Sequence, residues 1–542
     1  MRPPFQRNLL LFVAALLGCA SAQGQNFDIA GVLLLHDLNT NLNGAGVRVC
    51  QPEAPYGSLA DWEVSPSYEN QPATNFTYFS SMGSSNSYPN MLGSASDHAD
   101  SVGWDFYAIP SGVATNVAHV DNYYADYFVT ESSFVNHGVT NYTVTLPSTN
   151  INDAVVNQSF IFLSEALTQV GSNEEAAIDS AYDNYAARYN TLFVGGIGDG
   201  SPTYSSPPST CYNGIGVAAY AGSTSIGPTV DDGRCKPDIT AIAPGSSTSF
   251  TSPYVSGSAA ILIQAGLRGD GGSDTNSAAN IMTVKALLLN GAVKPGDWVN
   301  APPQPLDLRY GAGVLNVFNS YKELNGGKHN DNFSTNIPMG TAHPPVATGA
   351  TIPVLNGWDF NTNTSSSSQD GVNHYFFNIT NSSSNATFTL TTTLAWDRHL
   401  NTSGINNLFL YLYNAANSNL VASSTSVVDN VQHVFLPKLP QGRYDLQVWK
   451  AGGSSIVSAS ETYALAWAIY TESLSVARAG TNICVSWPAY PAGFALAASP
   501  TLTSPTWSTN NTTGPGYTNN QNVFYLSPTN SVQFFRLQMP NF

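Results

Sequence analysis

Ser249 stands in a stretch, residues 247–257, that runs into the small apolar series at residues 258–263. Pro253 suits a first helical turn, where its missing N–H costs nothing, and Val255, Ala259 and Leu262 recur at helical spacing. On that reading Ser249 sits just outside a helix N-terminus. Unpaired N–H groups and the positive dipole end would there stabilise negative charge developing beside it, which favours acyl transfer by a serine hydroxyl. The same Ser-x-x-Ser-Pro pattern also serves a plain helix cap by Ser249 or Ser252. Two other groups could join the serine. Glu53 ends residues 46–53, which read as a glycine turn and a short strand, and a strand-end carboxylate either holds an imidazole or is simply solvated. His98 lies between Asp97 and Asp100, as a base or as surface polarity.

Residues 247–257 resemble the nucleophile motif of subtilisin-like serine peptidases, Gly-Thr-Ser-x-Ala-Ser-Pro followed by a His-Val-Ala-Gly helix. Ser249 takes the nucleophile position, while Ser247 replaces the leading glycine and Tyr254 the histidine after the proline. Residues 46–53 look like the family's Gly-x-Gly-Val-x-Val strand, with Glu53, preceded by Pro52, where the orienting aspartate stands. Residues 97–103 resemble its His-Gly-Thr-His-Val-Ala-Gly helix start and put His98 on the catalytic histidine. Acid, histidine and serine in that chain order, with a long gap before the serine, are the subtilisin arrangement. Residues 195–200 occupy the place of the Ala-Gly-Asn-x-Gly turn, whose asparagine donates to the oxyanion. Here Gly198 or Asp199 falls on that residue, depending on register, and an ionised aspartate cannot donate. Such a loss costs about 10²- to 10³-fold in rate. Sedolisins do carry an aspartate there, with a glutamate where this chain has His98.

The resemblance implies a secreted serine endopeptidase. Ser249 attacks the peptide carbonyl, His98 moves the proton, Glu53 orients His98, and the Ser249 N–H and Asp199 are the oxyanion candidates. The implied fold is α/β, a three-layer domain with a mostly parallel sheet. The residues agree: a helix at residues 174–189 alternates with apolar strands such as residues 191–194, and another apolar helix follows at 284–289. Residues 155–159 resemble the family's peptide-binding strand, with Phe160, Ile161 and Phe162 in place of its glycines. The resemblance covers about residues 44–324.

Residues 1–22 read as a signal peptide, with Arg2 and Arg7 before an apolar core and a small-residue cut site at residues 20–22. The alternative is a lipoprotein anchor through Cys19. The peptidase-like domain is expected over residues 23–325. Alternating apolar and polar runs then suggest a β-sandwich over 336–472, similar to the jelly-roll modules of secreted bacterial peptidases, and a small fibronectin-like β unit over 473–542. These modules could contact a polysaccharide or envelope partner, or serve stability and spacing.

The formal charge of −17 argues against nucleic acid and anionic membrane as partners. Protein or peptide is the expected substrate, and hydrolysis needs no cofactor. Asp270 and Asp274, in a glycine-rich loop, are candidates for structural calcium or a solvated turn. A Cys211–Cys235 bond would close one loop and contribute about 3 kcal/mol. Cys50 and Cys484 read as buried free thiols. Two rival functions remain open: a catalytically impaired peptide-binding or adhesion scaffold, and a carbohydrate-binding envelope protein.

Overall fold

The computed structural model describes residues 26–131, 150–163, 169–200, 205–222, 224–345, 348–383, 385–502, 507–509, 515–527 and 532–539. The expected export segment at residues 1–22 lies outside them. An eight-stranded sheet organises the first half of the chain. Its strands are β1 (Arg48–Glu53), β2 (Phe76–Ser80), β3 (Gly83–Ser85), β4 (His119–Tyr124), β5 (Val155–Gln158), β6 (Leu192–Gly196), β7 (Ile215–Ala219) and β8 (Ile239–Ala241). Their spatial order is β8-β7-β6-β5-β1-β4-β2-β3, and every pairing is parallel except the β2–β3 hairpin.

Parallel strands covered on both faces are buried throughout, and β5, β6, β7 and β8 are buried along their whole length. The helices that matter here are α1 (Val32–Leu38), α2 (Asp97–Phe106), α3 (Ser172–Tyr189), α4 (Thr248–Arg268), α5 (Ile281–Asn290) and α6 (Val317–Asn325). Helix α4 runs through the core, with Val255, Ala259, Ala260, Ile261 and Leu262 fully buried. Its small residues allow this: Gly257 lies where an added Cβ would come within 2.6 Å of Val113 Cβ. Helix α1, formed by the apolar run after the expected signal, packs on α6, and its Val32 and Leu35 are fully buried.

Two stacked sheets follow, one built from Phe333–Pro338, Gln369–Ile379, Gly442–Lys450, Leu408–Asn414 and Asn419–Ser424, the other from Asn356–Thr364, Ser460–Tyr470, Thr387–Trp396 and Val431–Pro440. This is the anticipated sandwich. Phe333–Pro338 already pairs with Gln369–Ile379, so the sandwich sheet begins before residue 336. A four-stranded and a three-stranded sheet form the terminal unit. The described cysteines Cys50, Cys211, Cys235 and Cys484 are all free thiols. Cys235 Sγ instead contacts the Leu306 carbonyl at 3.4 Å, and Cys484 is half-exposed where a buried thiol was expected.

Beneath the sheet's edge Asp238 gathers two buried lysines. It accepts from Lys236 Nζ at 2.5 Å and from the Gly216 N–H at 2.7 Å, with Lys285 Nζ at 3.4 Å. Burial alone would raise the Asp238 carboxyl, but the two ammonium groups hold it below its ordinary range. Removing one member of a buried ionic cluster strands the others without compensation. Asp238→Asn is therefore expected to destabilise the protein by about 3–5 kcal/mol, read as a lower midpoint in chemical denaturation.

Candidate active site

The carboxyl ends of parallel strands face helix N-termini, the usual place for a site in such sheets. Glu53 is the last residue of β1 and is buried; His98 is the second residue of α2. Ser96 caps α2 by accepting from the Ala99 N–H at 3.3 Å, which fixes the turn that presents His98. The structure brings this acid and imidazole together, with Glu53 Oε2 2.9 Å from His98 Nδ1. Glutamate reaches as far as the pair requires despite Pro52, because β1 stays in register with β4 through Pro52 and Glu53.

His98 keeps 18% of its side chain exposed, so substrate can reach it. The Tyr56 ring stacks on it at 5.6 Å between centroids and Phe250 lies at 5.9 Å, flanking the imidazole with apolar surface. Burial pulls the imidazole's pKa down, but the charge and hydrogen bond of Glu53, helped by the charge of Asp199, outweigh it and hold the pKa above its ordinary value.

The nucleophile candidate sits differently from the position read from the sequence. Helix α4 begins at Thr248 with Ser247 as its cap, so Ser249 lies inside the first turn and Pro253 lies in the helix body. A proline there leaves the carbonyl four residues back without its helical donor. That carbonyl belongs to Ser249, and the Ser159 hydroxyl donates to it at 2.8 Å. Ser249 Oγ in turn donates to the Ser159 carbonyl at 3.4 Å, a long bond. In this resting arrangement the serine hydroxyl is tied to the end of β5, and Phe250, the next residue, is the one whose ring reaches His98.

Asp199 falls at the start of the same helix. Its carboxylate accepts from the Thr248 N–H at 2.8 Å and from Ser247 Oγ at 2.5 Å. The Ser249 N–H faces Ser247 Oγ at 3.3 Å. Asp199 thus acts as an anionic cap, where negative charge meets the helix dipole favourably. Gly196, at the end of β6, permits the close approach: an added Cβ would stand 2.8 Å from Thr248 Oγ1.

Sequence reasoning passed over Gln51, Ser159 and the capping role of Ser247. Gln51 could have been found from the two-residue alternation of a strand, which puts it on the same face as Glu53. The calcium candidates hold cations of the chain itself: Asp270 pairs with Arg268 and accepts from Tyr321 Oη at 2.9 Å, and Asp274 accepts from Lys328 Nζ at 2.8 Å. Among the described residues a different carboxylate group, Glu175, Asp179 and Asp231, converges. Arg234 occupies it, bonded to Asp179 at 2.5 Å and Asp231 at 2.8 Å.

The parallel sheet thus carries an acid–imidazole pair at its carboxyl edge, and the buried helix α4 carries Ser249 in its first turn. Residues 135–313 match the model of the subtilase family. That match contains Asp199 and Ser249 but begins after Glu53 and His98, which the fold brings to it. Similar solved structures include the protease domain of PatA, 17% identical over 53% of this chain and 98% of that one with a TM-score of 0.36. The PatG macrocyclase in complex with peptide is 14% identical over 54% and 95%, with a TM-score of 0.36. Tripeptidyl peptidase 2 is 12% identical over 76% and 45%, with a TM-score of 0.32. No curated protein matches the chain.

The raised His98 pKa makes a signed prediction. The Glu53–His98 ion pair stabilises the fold fully below the ordinary histidine value of about 6.5, and this contribution is lost as pH rises through the higher folded value. In Glu53→Gln the main upward influence is gone, so histidine NMR should show His98 titrating lower than in the wild type.

Proposed function

We propose that the protein is a secreted serine endopeptidase working through Ser249, His98 and Glu53. The observation that carries this reading is the 2.9 Å Glu53–His98 contact at the same edge of the sheet as the N-terminus of α4. Neutral His98 holds its Nδ1 proton against Glu53 and presents Nε2 as the base. Ser249 turns from the Ser159 carbonyl toward Nε2, gives up its proton and attacks the peptide carbonyl to form an acyl-enzyme. His98 then protonates the leaving amine, and water hydrolyses the ester by the same route in reverse. The Ser249 N–H and the positive end of α4 stabilise the oxyanion.

The competing reading is an impaired scaffold. It draws on the Ser249 hydroxyl being engaged by Ser159 and on the Asp199 carboxylate being taken up in capping α4 at the Thr248 N–H. The downstream modules fit a stabilising role, because the sandwich is bonded to the α/β domain through buried groups. Arg398 pairs with Asp183 at 2.8 Å, Asp429 accepts from the Cys235 N–H at 2.6 Å, and Thr391 and Thr393 donate to Asn290 at 3.1 and 3.2 Å.

The full-length protein is expected to clear casein and to take a fluorophosphonate on Ser249, with Ser249→Ala doing neither. Equal inertness of both proteins between about pH 4 and 9, which spans the carboxyl and imidazole titrations, would favour the scaffold. Asp199→Asn keeps an oxygen to cap Thr248 and adds an amide donor. It should therefore raise kcat, by up to about 10²-fold, and move the acid limb of the rate profile down by removing one charge near His98.

A further inference from the structure

We propose that Gln51 is a positioning residue of the catalytic apparatus, a buried bracket that fits a glutamate to the orienting role. The inference rests on the endopeptidase reading above. Gln51 is fully buried on β1, two residues before Glu53 and on the same face. Its Nε2 donates to Glu53 Oε1 at 2.8 Å and to the Ala99 carbonyl at 3.0 Å. One side-chain amide therefore grips both the acid and the helix residue next to His98. Its Oε1 accepts from Tyr107 Oη at 2.5 Å, and its backbone carbonyl accepts from Asn122 Nδ2 at 2.8 Å. Tyr107 follows the C-terminus of α2, so the amide is held from both ends of the helix that carries His98.

The geometry solves a problem that the longer acid creates. A glutamate has one more rotatable bond than an aspartate, and both its oxygens can turn toward the imidazole. Because Gln51 occupies Oε1, Oε2 alone faces His98 Nδ1. The amide cannot be protonated or deprotonated in the working range, so it fixes the carboxylate without adding a charge. Preorganisation of this kind acts through the orientation of the base, so its loss should fall on kcat.

Gln51→Met keeps length and removes both donors. It is expected to lower kcat by about 10- to 10²-fold with KM little changed, less than the about 10⁴-fold that follows loss of an orienting carboxylate. Histidine NMR of the same variant should show His98 titrating lower than in the wild type. Gln51→Glu is the second variant, for the case in which methionine does not fold. Its new carboxyl can donate to Glu53 only while protonated, among the neighbouring acids Glu53, Glu69 and Asp100 and the Tyr107 phenol. Its activity should approach wild type on the acid side and fall early as pH rises. Wild-type kcat and an unmoved His98 titration in a folded Gln51→Met, or a Gln51→Glu profile that parallels the wild type, would overturn the bracket. Failure of the wild type to react with a fluorophosphonate would overturn the endopeptidase reading instead, and the His98 titration would still decide the role of Gln51.

Discussion

A proline in the body of a buried helix is the constraint on which the site depends. Pro253 cannot supply the N–H that the Ser249 carbonyl would receive in a regular helix, and a buried carbonyl without a donor is costly. The Ser159 hydroxyl fills the gap at 2.8 Å, which binds the first turn of α4 to the end of β5. The nucleophile candidate is thus located by a bond that its own helix cannot make. The same two residues exchange a second, longer bond through Ser249 Oγ, so the loop after β5 senses both the backbone and the side chain of the serine.

Around that junction three charges are arranged. Glu53 and His98 form the pair on one side, and Asp199 caps α4 on the other. The imidazole lies within the influence of both carboxylates, and the balance against burial comes out in favour of its charged form. Asp199 therefore has two opposed effects in a catalytic cycle: it favours the imidazolium and disfavours an oxyanion nearby.

Much of this was legible in the sequence. Alternating helical and apolar segments point to the parallel sheet, and the order of Glu53, His98 and Ser249 carries the resemblance to the subtilisin arrangement. Local helix rules put Pro253 in the first turn of α4; the helix starts earlier because a tertiary donor from Ser159 satisfies the carbonyl that the proline leaves free. Spacing leaves the register around Gly198 and Asp199 open, since both a turn glycine and a capping acid suit that place; in the structure Asp199 is the residue that caps α4 at the Thr248 N–H. The thiols of Cys211 and Cys235 lie close in sequence, yet both are free and Cys235 Sγ faces the Leu306 carbonyl, which no spacing rule reports. Gln51 was hidden for a different reason. A buried glutamine acquires meaning only when its three partners are known, and they come from β1, the start of α2 and the residue after α2.

The bonds between the α/β domain and the sandwich have a consequence for a chain cut between them. Asn213 exchanges two bonds with the Arg398 backbone, at 3.0 and 2.7 Å, and Asn430 Nδ2 donates to the Tyr212 carbonyl at 2.8 Å, all of them buried. Trp358, Val431 and Ala466 of the sandwich also belong to the same apolar cluster as the core of α4. A nick in the connecting segment near residue 330 would therefore sever the polypeptide without liberating either half: the pieces would separate in detergent and migrate as one particle in native buffer.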